Sequence, residues 1–212
     1  STTPFSKNFR MDRLSAPEEA SGEPAPLKSP FLPEHFQRVD ETEAANFYVQ
    51  PRMVTHIDDA AIAAARDFYG RMLPPGGRIL DLMSSWVSHL PDGAAYAAVT
   101  GLGMNAEELA ANPRLTARIV QDLNIDPHLP FEDAAFDGAI VTVSVQYLTR
   151  PVATFASVCR VPATGSPFLV TFSHRCFPTP AVAVWQALGD RATSPLVAWY
   201  FLRPGALGHP AP

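Results

Sequence analysis

Apolar runs alternate with amphipathic segments from residue 77 to the end of the chain. Short, continuous apolar runs such as "RILDLM" at 78–83 are typical of strands that are buried on both faces of a parallel sheet. The pattern predicts strands at 78–83, 96–103, 116–124, after a loop within 128–148, and at 166–174. Helices are predicted from Ser84 or Ser85, at 105–113, at 151–161, around 179–189 and at 194–202.

Strands and helices that alternate at this spacing predict an α/β fold, a doubly wound and mostly parallel sheet with right-handed crossovers. In such sheets the ligand lies outside the carboxyl ends of the strands, where the strand order reverses. We therefore expect a binding site near four segments, namely Asp81 to Trp86, Gly103 to Asn105, Asp122 to Asn124 and Thr142 to Tyr147.

Two different segments precede this domain, which we place at 77–212. Residues 1–33 are rich in Pro, Ser and Glu and predict an extended or disordered arm. Residues 34–76 predict a helical cap that ends at "PPGG", with Thr55 as a candidate N-cap and Asp58 and Asp59 in the first turn. The predicted apolar face of that helix consists of Ile57, Ala61, Ala64, Phe68 and Met72.

Composition narrows the class of protein. The 212 residues are 47% hydrophobic and 17% charged, and no apolar run approaches the roughly 20 residues that span a bilayer. A net charge of -5 argues against a broad nucleic-acid surface. Cys159 and Cys176 have neither CxxC spacing nor a nearby His/Cys cluster, so we expect reduced thiols and no metal site.

The series "RILDL", "VTGLGMNAEEL", "IVQDLN" and "LPFEDAAFDGAIV" resembles the class I S-adenosylmethionine-dependent methyltransferases, of the type 11-like kind. The resemblance covers about 77–175 and implies a Rossmann-like fold. Two further stretches, "FYVQPRMVTHID" and "SSWVSHLP", are similar to a divergent subgroup of unknown substrate in photosynthetic organisms. Its first motif is poor in glycine.

The resemblance implies S-adenosylmethionine as cofactor and S-adenosylhomocysteine as product. Asp122 is similar to the carboxylate that accepts a hydrogen bond from the adenine amino group, with the Leu123 backbone near the ring. Asp81 matches the residue that orients the methionine end, and the following helix would offer backbone N–H groups to the cofactor carboxylate. Val143 would line the opposite wall together with Thr142.

Two positions depart from the family pattern. Met83, Ser84, Ser85 and Trp86 stand where glycines are usual. Gly103 stands where an acidic residue usually holds the ribose hydroxyls, and Asn105 is the nearest replacement. Structural roles stay open beside the cofactor roles, because Asp122 can cap a loop and Ser84 can cap a helix.

Candidate substrate or lid residues lie in two places. Tyr48, Arg52 and His56 precede the domain, whereas Gln146 and Tyr147 follow the fourth strand. No Asp and His pair at that exit identifies a general base, so the catalytic residues are unknown. An in-line methyl transfer requires chiefly proximity and orientation.

Two functions therefore compete. The first is an S-adenosylmethionine-dependent methyltransferase that acts on an unknown small-molecule or protein substrate. The alternative is a catalytically inactive methyltransferase-like subunit, a binding or scaffold protein in a larger complex, with an organelle as the candidate location of that complex. Because the family's C-terminal hairpin is missing, we expect an open sheet edge for a protein partner, with the N-terminal arm as another contact. A nicotinamide-cofactor dehydrogenase is a weaker idea, because no GxGxxG follows the first strand.

The localisation expected from sequence depends on the N-terminus. The chain begins with Ser1, and its opening residues have no apolar secretory core. A removed transit peptide would make the protein organellar, with the chloroplast favoured over the mitochondrion. A trimmed chain would leave it cytoplasmic.

Overall fold

The computed structural model describes residues 31–38, 53, 57–173, 181–188 and 193–202. The predicted arm, apart from its last three residues, lies outside these ranges, as do the candidate residues Tyr48, Arg52 and His56. No helix among the described residues is long and apolar enough to cross a membrane.

Five parallel strands form one sheet with the order β3-β2-β1-β4-β5, which confirms the predicted Rossmann-like class. The order reverses between β1 and β4, so this is the switch point where a ligand is expected. No strand follows β5 in the described part of the chain, so β3 and β5 are the edges there. The strands are β1 (Arg78–Leu82), β2 (Ala98–Gly103), β3 (Ala117–Val120), β4 (Gly138–Thr142) and β5 (Phe168–Thr171).

Helices cover both faces of the sheet. Alternate residues of β1 enter different layers: Leu80 and Leu82 pack with Phe155 and Tyr200, whereas Ile79 packs with Tyr69. Burial on both faces explains why the strands have continuous apolar sequences. The helices are α1 (Asp59–Met72), α2 (Ala106–Ala111), α3 (Pro151–Arg160), α4 (Ala183–Ala187) and α5 (Thr193–Leu202).

The predicted helix after β1 is wrong. Residues 83–97 contain no helix, although they connect two parallel strands that are usually joined by one. The hydroxyls of Ser84 and Ser88 both donate to Asp81, and such bonds from side chains favour irregular backbone over helix. β1 therefore leads into an irregular loop, which we call the β1–β2 loop (residues 83–97).

Helix α1 begins at Asp59, so of the two acidic residues predicted in its first turn only Asp59 lies inside the helix. Asp58 is the N-cap, and its carboxylate accepts a hydrogen bond from the N–H of Ala61. Thr55, the predicted cap, lies outside the described residues. The predicted apolar face is partly wrong as well, since Met72 is 50% exposed and the helix buries Tyr69.

Tyr69 joins α1 to the ends of β4 and β5. Its Oη lies 2.7 Å from Thr142 Oγ1 and 2.8 Å from Thr171 Oγ1, two residues that are neighbours in the sheet register. Burial raises the pKa of Tyr69 far above its ordinary value, so the phenol stays protonated. The helix is thereby held against the carboxyl edge of the sheet.

We expect Tyr69→Phe to lower the free energy of unfolding by about 1 to 3 kcal/mol, because the half-buried hydroxyls of Thr142 and Thr171 would lose their shared partner. Urea denaturation would measure the change. Tyr96→Phe is the matched control, because Tyr96 is half-buried and its ring contacts the Arg114 guanidinium rather than a hydroxyl partner. An equal and small effect of both substitutions would contradict the structural role of the Tyr69 hydroxyl.

Candidate functional site

Asp81 at the end of β1 is a buried carboxyl, only 3% exposed. The Oγ atoms of Ser84 and Ser88 donate to its Oδ2 over 2.8 and 2.5 Å. No hydrogen bond from another described residue reaches Oδ1, and none of the ion pairs in the described ranges involves Asp81. Burial raises the pKa of Asp81 to about 6, although the two hydroxyls act in the opposite direction.

Strained backbone flanks the switch point on both sides. Met83 follows β1 with a φ of 54°, and Val143 follows β4 with a φ of 52°. Positive φ is rare for residues other than glycine and is exceptional for a β-branched residue. Such strain clusters at ligand sites and switch regions. The left-handed turn after β1 is therefore formed here with Met83 in place of a glycine.

Gly103 at the end of β2 lies directly beside the β1–β2 loop. A Cβ at this position would lie only 2.2 Å from the carbonyl oxygen of Ser84. The N–H of Ser84 in turn donates to the carbonyl of Leu102 over 2.9 Å. Any side chain at 103 would collide with backbone, so the carboxylate expected from the resemblance has no room here.

The β1–β2 loop is also bonded to α2. Ser85 Oγ donates to Glu108 Oε2 over 2.6 Å. The buried Asn112 donates from Nδ2 to the Ser85 carbonyl over 2.8 Å and to Ser88 Oγ over 3.0 Å. A polar network therefore runs from Asp81 through the loop to α2. In this network the Ser84 hydroxyl donates to the buried Asp81 carboxyl and does not cap a helix.

Asn105, the predicted replacement for the ribose carboxylate, caps α2. Its Oδ1 accepts hydrogen bonds from the N–H groups of Glu107 and Glu108, over 3.0 and 3.1 Å. This is the arrangement for which Asn is favoured at a helix N-terminus. The capping oxygen of Asn105 is thus directed at the helix backbone.

Asp122 follows β3 in a turn, because β3 ends at Val120 rather than at 124 as predicted. Its Oδ1 accepts a hydrogen bond from the N–H of Asn124 over 2.8 Å, which is the loop-capping arrangement. Leu123 is buried in the core that lies under α3 and α5. Asp122 itself is half-buried.

Asn124 connects the loops that follow β3 and β4. Its Nδ2 donates to the Tyr147 carbonyl over 3.2 Å, and its Oδ1 accepts from the Thr149 N–H over 2.7 Å and from the Thr149 hydroxyl over 3.1 Å. The bonds thus join the exits of two strands, β3 and β4, that β2 and β1 separate in the sheet. The segment that contains Asp122 is therefore fixed relative to the β4 exit.

The β4 exit is a short turn of 3₁₀ helix, Val145–Tyr147, that holds two predicted substrate residues. Gln146 is fully buried and donates from Nε2 to the Val143 carbonyl over 3.0 Å. Tyr147 is 9% exposed. The fold thus brings both close to Val143 and the switch point.

Sequence reasoning missed several polar residues of this edge. Ser88, Glu108 and Asn112 form hydrogen bonds that position the β1–β2 loop. Asn124 lies in the segment 122–124 that was expected near the site, but its hydrogen bonds to Tyr147 and Thr149 were not predicted. The available signal was weak, namely a concentration of Ser and Asn soon after each strand. No group of three or more His, Cys, Asp or Glu residues within the described ranges is arranged to hold a metal ion.

No protein-family model and no curated protein matches the sequence. Solved structures do match. The chain is similar to an S-adenosylmethionine dependent methyltransferase from Mesorhizobium loti, at 23% identity and a TM-score of 0.42, over 51% of this chain and 53% of that chain. It is similar to the (4+2)-cyclase SpnF, at 18% identity and a TM-score of 0.47, over 69% and 67% of the two chains.

A third similar structure is the PH0226 protein from Pyrococcus horikoshii, at 18% identity and a TM-score of 0.46, over 61% of this chain and 66% of that chain. The matched regions span between about half and two thirds of the length of these solved chains. At these identities the likeness is one of fold.

Proposed function

We propose that this chain is an S-adenosylmethionine-dependent methyltransferase that binds its cofactor at the switch point between β1 and β4. The observation that carries the proposal is the buried Asp81 carboxyl, which has an oxygen without a described hydrogen bond and has no described cationic partner. A buried carboxylate is costly unless a cation compensates it. S-adenosylmethionine has two cationic groups, an α-ammonium and a sulfonium.

The residues around the switch point suit such a ligand. Asp81 Oδ1 would accept from the α-ammonium, and the strained turns at Met83 and Val143 would flank the ligand on both sides. The adenine end would lie towards Asp122 and Leu123, with Ser84 and Ser85 between the two ends.

When bound, the cofactor supplies an activated methyl group. The chain's own contribution is to bind, orient and exclude water, which are the main requirements of an in-line transfer. The substrate would approach the β4 exit at Tyr147, and the fully buried Gln146 would support that turn through its hydrogen bond to the Val143 carbonyl. Its chemical class stays open between a small molecule and a protein.

Calorimetric titration with S-adenosylmethionine and S-adenosylhomocysteine at pH 7.5 tests the proposal. We expect saturable heat for both ligands and a raised unfolding temperature in their presence. The absence of both heat and thermal shift at millimolar ligand would rule out the enzyme function.

We expect the affinity for S-adenosylmethionine to fall about tenfold between pH 7.5 and pH 5. Only the ionised Asp81 attracts a cation, and a pKa of about 6 leaves about a tenth of this carboxyl ionised at pH 5. A bound cation favours the charged form, so binding releases a proton near pH 6. Titrations in buffers of different ionisation enthalpy would measure both effects. A flat affinity profile would show that Asp81 does not contact the cationic end.

A second candidate is a methyltransferase-like subunit that binds partners without catalysis. The observation that favours it is the β1–β2 loop, whose Ser84 carbonyl lies against Gly103 and whose Ser85 is bonded to Glu108. A loop in this position leaves less room for a ribose. The partner would pair with an edge of the sheet, and Val120 on β3 is 58% exposed there. The expected result is then no response to either ligand. The organellar location stays a prediction.

A further inference from the structure

Asn112 is the C-cap of α2, and its side chain is fully buried beside the β1–β2 loop. We infer that Asn112 is a positioning residue for Asp81, because it fixes the Ser88 hydroxyl from which that carboxylate accepts a hydrogen bond. The inference rests on the proposed function, because it concerns how the same carboxylate is held ready for a cationic ligand group. It assigns a role in binding to a residue that acts only through another side chain.

The hydrogen bonds of Asn112 fix the orientation of its amide. Its Oδ1 accepts from the Arg114 N–H over 3.0 Å. Its Nδ2 donates to the Ser85 carbonyl over 2.8 Å and to Ser88 Oγ over 3.0 Å. A backbone N–H can only donate and a carbonyl can only accept, so a flipped amide would face both groups with the wrong atom. Both hydrogens of Nδ2 are therefore committed, and one of them is directed at Ser88.

Ser88 passes this direction on to Asp81. Its hydroxyl has one hydrogen, and because the oxygen accepts from Asn112, that hydrogen is available for the carboxylate. The bond from Ser88 Oγ to Asp81 Oδ2 is 2.5 Å long, as short as the charge-assisted bonds between hydroxyls and carboxylates. Hydrogen bonds in such a chain polarise and strengthen one another. Asn112 therefore favours the ionised form of Asp81, which is the form that attracts a cation.

The same bonds determine which oxygen of Asp81 is left for a ligand. Ser84 and Ser88 both donate to Oδ2, and both belong to the β1–β2 loop. Oδ2 is thus turned towards the loop, and Oδ1 is turned away from these hydroxyls. A carboxylate held at one oxygen by two donors keeps a single orientation, so the direction of Oδ1 depends on the loop staying in place.

The sheet anchors this relay. Arg118 on β3 donates from Nε to the carbonyl of Leu109, in the last turn of α2, over 2.7 Å. Leu109 is buried, and its Cδ2 lies 3.2 Å from the position that a Cβ on Gly103 would take. The C-terminal end of α2 is thereby fixed on β2 and β3. Asn112 transfers that fixed position to the loop, which has no helix of its own to hold Ser88.

The experiment compares two ligands in variants of the whole chain. The ligands are S-adenosylhomocysteine and its analogue without the α-amino group, and calorimetry gives both dissociation constants. Threonine is similar to asparagine in size, but its single hydroxyl hydrogen cannot serve both Ser85 and Ser88. We expect Asn112→Thr to weaken S-adenosylhomocysteine binding about fivefold and to change binding of the analogue less than about twofold.

A double-mutant cycle shows whether Asn112 acts through Ser88. Ser88→Ala alone should also weaken S-adenosylhomocysteine more than the analogue. In that background Asn112→Thr should change S-adenosylhomocysteine binding less than about twofold, because the relay is already interrupted. The matched control is Ser157→Ala, which removes a buried hydroxyl that accepts from the Leu129 N–H over 2.8 Å. The control should leave the ratio of the two dissociation constants at its wild-type value.

The ratio is taken within one protein, so a partial loss of folded protein cancels. Equal weakening of both ligands by Asn112→Thr would overturn the inference, since it would show a structural role only. An equal effect of Asn112→Thr with and without Ser88 would overturn it as well. A wild-type ratio in Ser88→Ala would do so even if Asn112→Thr did not fold. In these cases the proposed function would survive, whereas a wild type that bound neither ligand would make both wrong.

Discussion

Replacement of Gly103 by alanine is expected to lower the free energy of unfolding by about 3 kcal/mol, the upper part of the range for overpacking a core. The new Cβ would lie 2.2 Å from the Ser84 carbonyl oxygen, and this obstacle is backbone rather than the end of a flexible side chain. Either β2 or the β1–β2 loop must move. Urea denaturation would measure the loss, and a change in slope would report altered burial in the native or unfolded state.

Two other glycines provide matched controls. Gly93→Ala should change stability by less than about 0.5 kcal/mol, because nothing lies within 4 Å of the added Cβ. Gly101→Ala should be intermediate, because the obstacle is the Leu115 side chain, which can rotate. If Gly103→Ala were as mild as Gly93→Ala, the loop would not lie against β2 in solution.

Gly103→Asp tests whether position 103 can hold a carboxylate. In sequence terms it restores the carboxylate that the resemblance leads one to expect, so a family-based view predicts tighter cofactor binding. The structure predicts a destabilised protein, because the position has no room for any side chain. A stable Gly103→Asp variant that binds S-adenosylmethionine more tightly would show that the loop moves aside easily.

The sheet could be predicted because its strands are short, continuous apolar runs, and such runs are required where both faces are buried. Strand ends were less predictable. The third strand was predicted to continue to 124, but β3 ends at Val120. The polar Gln121 and Asp122 interrupt the apolar run, and Leu123 is buried in a turn rather than in the sheet. Burial alone does not distinguish a strand residue from a loop residue that packs on the core.

The candidate site was predictable in place but not in detail. Ser84 after a strand suggests a helix cap, and the sequence does not show that the buried Asp81 competes for its hydroxyl. From the sequence, Gly103 was interpreted as a position where the family's usual carboxylate is absent. The structure shows that glycine is required there because the backbone of Ser84, 19 positions earlier, lies against it. The roles of both residues depend on contacts between separate segments, which local patterns do not encode.

Replacement of Asp81 by asparagine is expected to abolish S-adenosylmethionine binding and at the same time to stabilise the protein at pH 8. The carboxyl has a pKa of about 6 in the fold against 3.8 in the unfolded chain, a difference of about 3 kcal/mol in favour of the protonated form. Asparagine is uncharged and keeps an oxygen for Ser84 and Ser88. Burial of its amide N–H groups without full hydrogen bonding would cost about 1 kcal/mol, so we expect the free energy of unfolding to rise by about 1 to 2 kcal/mol.

The stability gained by Asp81→Asn is expected to depend on pH. Because the folded-state pKa of Asp81 is raised, ionisation of this carboxyl lowers the free energy of unfolding of the wild type by its full amount above about pH 6. This loss of stability becomes smaller as the pH falls from 6 towards 3.8. The advantage of Asp81→Asn should therefore be largest at pH 8 and should shrink by pH 5. Asp137 is the opposite control, because Arg78 lowers the pKa of that carboxyl to about 2. Asp137→Asn should lose stability at pH 8.

A gain in stability together with a loss of binding would mean that the buried charge is kept for a cationic ligand and not for the fold. The comparison requires urea denaturation at both pH values and calorimetry with S-adenosylmethionine on the same preparations. If Asp81→Asn were less stable than the wild type at pH 8, the carboxylate would have a structural partner in the native protein. The case for a cationic ligand at the switch point would then lose its main support, because the charge would already be compensated.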